Sequence, residues 1–164
     1  MVSELTLEFP AFITHIPVNK NNWIKIGYNK LHAGVHYQQR AALVAAMHSY
    51  IENHIPENLI IQGPVETHLT VYAPRNFGSV KMIKNPQTNK RKITWNPPLK
   101  YYKPNWDIGN LALVWLKSLD DVLIKKGILP DDTIEFLRRT TYEFVEVPTL
   151  NERKLVYKLR TIQP

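Results

Sequence analysis

From Leu5 to Phe9 apolar and polar residues alternate, the period of two that a half-buried strand requires, and a second short strand is expected between Phe12 and Ile16. Asparagines around Lys20 make Pro17 to Leu31 irregular or hairpin-like. The period then changes. From His36 to about His54, the residues Leu43, Met47, Tyr50 and His54 recur every three or four positions, as on one side of an amphipathic helix that Pro56 closes. After the Gly63-Pro64 punctuation, Val65, Thr67, Leu69 and Val71 share one face of a strand that Pro74 ends. A second helix is expected from Asp107 or Ile108 to Lys126, with Gly127 as its stop and Lys125 and Lys126 at the negative end of its dipole. Its apolar side carries Leu111, Trp115, Leu119, Val122 and Leu123; Asn110, Val114, Lys117 and Asp121 lie opposite. A tight turn at Ile128–Asp132 follows. Thr140 to Val147 and Lys154 to Ile162 alternate again, and Pro148 to Arg153 between them predicts a terminal antiparallel hairpin.

These elements sum to one domain spanning 1–164. A chain of 164 residues that is 44% apolar has material for a real core. The absence of cysteine excludes a disulfide framework, a thiolate metal site and a cysteine nucleophile. MVSELTLEFP lacks the pattern of a secretion signal and no run approaches a membrane span, so a soluble, cytoplasmic protein without a membrane partner is expected.

Charge narrows the class of partner. The net charge of +7 favours polyanions. Its distribution says more: Arg75, Lys81, Lys84, Lys90, Arg91, Lys92, Lys100 and Lys103 fall between Arg75 and Trp106 with no acidic residue among them. Prolines at 86, 97, 98 and 104 make 75–104 a long loop or a strand-bearing arm. Phe77, Trp95, Tyr101, Tyr102 and Trp106 interleave with its cations, a mixture suited to phosphates and unpaired bases, and Lys20, Lys25 and Lys30 extend the same surface. The alternative is a solvated arm. No base-reading motif is present, so shape and backbone recognition is expected. The six histidines are scattered, which fits surface or core roles better than a zinc site.

Asp107-Ile-Gly-Asn110-Leu before the second helix, Lys117 on it and Asp131-Asp132 after it, together with Ile16-Pro-Val-Asn19, Trp23 and Gly63-Pro64-Val65, stand in the order found in RusA-type Holliday junction resolvases. The chain resembles that family over most of its length, LKSLDDVLIKKGILPDD being the most specific stretch. The resemblance implies an α+β fold in which a small mixed or antiparallel sheet packs against two main helices. It also implies a homodimer acting on branched or duplex DNA in phage or prophage recombination and repair. The chemistry implied is Mg²⁺-dependent phosphodiester hydrolysis, with Mn²⁺ as a substitute. Asp107, Asp131 and Asp132 would be the metal carboxylates and Lys117 the electrostatic group.

Two positions depart from the family. Gly109 replaces the second signature aspartate, and Leu113 stands where the lysine is expected, so Lys117 takes that role only if the start of the helix has gained about a turn. Plain structural roles are also open. Asp107 suits a helix cap, Lys117 and Asp121 an i,i+4 pair, and Asp131-Asp132 an acidic turn. Three functions follow: a resolvase, a relative that binds DNA without cutting it, and a module that docks an acidic protein partner.

Overall fold

The computed structural model describes residues 3–13, 15–17, 23–26, 37–74, 80–84, 86–88, 91–95 and 107–162. Its main sheet has four strands in the order β1, β8, β4, β7: β1 is Glu4–Pro10, β4 Val65–Ala73, β7 Leu137–Glu146 and β8 Lys154–Thr161. Among the described residues two α-helices, α1 (Tyr37–Glu52) and α2 (Ile108–Lys125), complete an α+β architecture with a mixed sheet. The alternation read from the sequence sets the faces. Leu5, Leu7 and Phe9 of β1, Val65, Leu69 and Val71 of β4, and Leu155, Tyr157 and Leu159 of β8 are all buried. The intervening Glu4, Thr6 and Glu8 point to the open face.

Trp115 is the centre of the core. It is fully buried and lies 5.7 Å from the Phe9 ring, 5.9 Å from Tyr50 and 6.1 Å edge-on to Phe12, so α2, α1 and the start of the chain converge on one indole. The other buried side of α2 meets α1, where Met47 Sδ lies 3.9 Å from Ser118 Oγ. Val114, on the side of α2 that helical periodicity assigns to solvent, is therefore buried. Gly127 ends the helix at φ +68°, with its amide on Ile124 and that of Ile128 on Leu123, a conformation that glycine adopts without steric penalty.

The terminal pair of strands corrects an expectation. β7 and β8 do not form a hairpin, because β4 lies between them, antiparallel to β8 and parallel to β7. Parallel neighbours need a long connection, and α2 lies in the one between β4 and β7. The short link from β7 to β8 then crosses the end of β4. Arg153 fixes that crossing by donating hydrogen bonds to the carbonyls of Ala11, Phe12 and Leu150.

Two short hairpins stand apart in the hydrogen-bonding pattern: β2 (His15–Pro17) with β3 (Trp23–Lys25), and β5 (Val80–Lys84) with β6 (Arg91–Trp95). The second makes the basic segment strand-bearing. Its register sets Lys84 opposite Arg91 and Ile83 opposite Lys92. Among the described residues no helix is long and apolar enough to cross a membrane.

Candidate functional site

The first turn of α2 is shaped by Asp107. Its backbone is extended, and its carboxylate accepts the Asn110 amide at 3.1 Å and the Asn110 side chain at 3.3 Å. This is a helix cap, satisfying donors that have no partner within the helix. Gly109 lies beside it. A Cβ there would stand 3.3 Å from the Tyr142 hydroxyl of β7, so the missing side chain leaves room for the tyrosine.

Lys117 lies ten residues along the helix, about 15 Å at the usual rise. Its ammonium contacts Asp132 Oδ2 at 2.5 Å and Asp121 Oδ1 at 2.9 Å. Asp121 in turn lies 3.9 Å from His48 Nε2 on α1. The two carboxylates hold the Lys117 ammonium above its ordinary range, and Lys117 holds the Asp132 carboxyl below its own. The pair is partly solvated, so it contributes well under ~1 kcal/mol to stability. Asp131 accepts the Asp132 amide at 2.7 Å, a short-range turn bond.

One further carboxylate lies at the same level of the helix. Asp120 is only 5% exposed and accepts the Tyr157 hydroxyl at 3.0 Å. Burial pushes its pKa up to about 7, against the lowering effect of that hydrogen bond. The sequence reading passed over it, and over His48. The signal for Asp120 was Leu116 four residues before it and Leu123 three after, which set a carboxylate on an apolar side. No comparable signal marks His48.

Of the four residues expected to carry chemistry, the structure brings Lys117 and Asp132 into contact, while Asp131 bonds within its own turn and Asp107 caps the start of the helix. A Mg²⁺ ion demands several oxygen donors at about 2.0–2.1 Å. Asp107 is engaged with Asn110, Asp131 with its own turn and Asp132 with Lys117, and among the described residues no three histidine, aspartate or glutamate side chains are placed to hold a metal ion. Among the described residues, the side chains do not assemble the family's metal site in this arrangement. A groove of about 880 Å³ opens beside Lys117 between Tyr37, Ala41 and His48 of α1 and Leu113 and Asp121 of α2.

Of the cations expected to meet DNA, Lys20, Arg75, Lys90, Lys100 and Lys103 lie outside the described residues. For Lys25, Lys81, Lys84, Arg91 and Lys92 only the strand positions are described. The chain matches no family model and no curated protein.

Proposed function

We propose that this chain is a RusA-like protein that recognises branched DNA through backbone and shape, a relative of the junction resolvases whose candidate carboxylates are divided between the two ends of α2. The observation that carries the reading is the meeting of Lys117 with Asp132. These residues are fifteen apart in sequence, the resemblance names both, and Asp121 contacts the same ammonium. The basic segment supplies the affinity. Eight cations without an acid between Arg75 and Trp106 suit a polyanion, and the hairpin register puts Lys84 across from Arg91. Recognition without cutting follows from the cap role of Asp107 and the engagement of Asp131 and Asp132 within the protein.

A second reading, Mg²⁺- or Mn²⁺-dependent cleavage of the junction, is favoured by a different observation: Asp131 and Asp132 are adjacent in the turn and only partly buried, so two neighbouring carboxylates stay open to solvent. One assay separates the two. A labelled four-way junction is incubated beside a duplex of equal length, with each metal, using the wild type and Asp132→Asn. Tight, salt-sensitive junction binding without nicks supports the first reading, and paired nicks that vanish in Asp132→Asn establish the second. Binding equal to that of an uncharged control, or independent of salt, overturns both.

A further inference from the structure

We propose that the outer edge of β7 joins two copies of this chain, the strands running antiparallel about a two-fold axis at Thr141. β7 is ten residues long and lies last in the sheet, and among the described residues no strand takes its outer edge. Edges of this length invite pairing unless charged side chains, proline or a bulge interrupt them. LRRTTYEFVE contains no lysine, proline or glycine, and its charged residues, Arg138, Arg139, Glu143 and Glu146, are two of each sign, so that opposite charges can face one another across a pair of copies. Its one irregularity, the register shift opposite Val65 and Glu66, ends at Arg139, and from there to Glu146 the strand pairs with β4 without a break. Tyr142 is 43% exposed on this edge strand, so nothing in the chain covers it fully.

Charge selects the partner and the register. Opposite residues in an antiparallel pair point to the same face, so a two-fold axis must bring together positions separated by an even number. Rotation about Thr141 sets Arg139 opposite Glu143 of the second copy, and Glu143 opposite its Arg139. Both lie on the open face of the sheet, because their β4 partners, Glu66 and Thr70, point away from the core strand positions Thr67 and Leu69. Arg139 is exposed and, among the described residues, has no hydrogen-bond or ion-pair partner. Glu143 binds His68 and Thr70 through Oε1, which leaves Oε2 to a guanidinium. On the helix side the same register places Tyr142 over Thr140 of the other copy, adding aromatic area to the seam. The occupant of the edge is therefore a second copy, which also gives the homodimer implied by the resemblance a location. The inference itself rests on β7 alone.

The test needs no DNA, so its failure leaves the DNA reading untouched. Wild type should sediment at about twice the 19.1 kDa of one chain. Arg139→Glu creates two like-charge pairs and should weaken self-association about tenfold or more, whereas Arg139→Glu combined with Glu143→Arg should return it to within about threefold. The protein has no cysteine, so Thr141→Cys gives a clean probe: opposite Cβ atoms about 4.5–5.5 Å apart are close to disulfide reach. It should cross-link under mild oxidation, and Ile134→Cys, at a site 81% exposed outside the strand, should not. A wild type that stays monomeric at every concentration, a dimer indifferent to Arg139→Glu, or cross-linking at Ile134→Cys but not Thr141→Cys overturns the proposal. Cross-linking through Tyr142→Cys in preference to Thr141→Cys overturns the register.

Discussion

The start and the middle of α2 both hold carboxylates, and the two places use them in opposite ways. At the start, Asp107 is exposed, and its charge meets the free amides of the first turn. In the middle, Asp120 is buried against Tyr157 while Asp121 and Asp132 pair with Lys117 at the rim. Chemistry that depends on charge belongs in the second place, where desolvation raises the Asp120 carboxyl and a fixed cation lowers that of Asp132. A cap needs only geometry and solvent.

Substitutions at four positions probe this contrast. The largest effect is expected from Asp120→Asn. The folded pKa of Asp120, about 7, lies above the unfolded value of 3.8, so its stabilising contribution is complete below pH ~3.8 and is lost as pH rises through 7. Asparagine imitates the protonated form. It should therefore stabilise the protein by on the order of 3 kcal/mol at pH 8 and by almost nothing near pH 4, as read from urea unfolding at the two values. If the gain is the same at both, Asp120 does not titrate as its burial demands.

Tyr157→Phe should act in the other direction. Removing the donor leaves a buried carboxylate without its hydrogen bond, and about 2 kcal/mol of stability should be lost at pH 8. Combined with Asp120→Asn, that loss should shrink, because a neutral amide needs the hydroxyl less; additive effects would mean that the two groups are not coupled.

Asp107→Ala is expected to lower stability by about 1 kcal/mol in thermal or urea unfolding, the usual loss for a helix cap. Asp107→Asn should restore most of it. If asparagine fails where aspartate succeeds, the carboxylate has a role beyond capping.

Lys117→Met should have the smallest effect on stability, under ~1 kcal/mol, because the ammonium it removes is well exposed. Its signature is local. The Asp132 carboxyl, which Lys117 holds low, should titrate higher, towards the ordinary carboxylate range, when followed by NMR. An unmoved Asp132 would show that the contact is not maintained in solution.

Much of the fold was legible in the chain. Alternation located β1 and β4, three- and four-residue spacing located both helices, and Gly127 marked the end of α2 where its φ of +68° requires glycine. Lys117 and Asp132 were singled out by the family resemblance and Asp121 as an i,i+4 partner of Lys117, but their meeting at one ammonium was not legible. Asp120 was missed because helical periodicity was read from the apolar residues alone. Val114 was placed on the solvent side because a helix packed between a sheet and another helix has two buried sides, and the second depends on α1.

By itself the sequence determined which residues form strands and helices, where they stop, and which side of each strand is apolar. Those properties come from side-chain chemistry and backbone preference over a few neighbouring residues. Only the tertiary structure decided that β4 separates β7 from β8, that Lys117 lies against Asp132 while Asp107 stays at the start of the helix, and that among the described strands β7 has a neighbour on one side only. Strand order and cross-chain contacts depend on how whole elements share one core around Trp115, and a local pattern fixes a strand's faces without naming its neighbours.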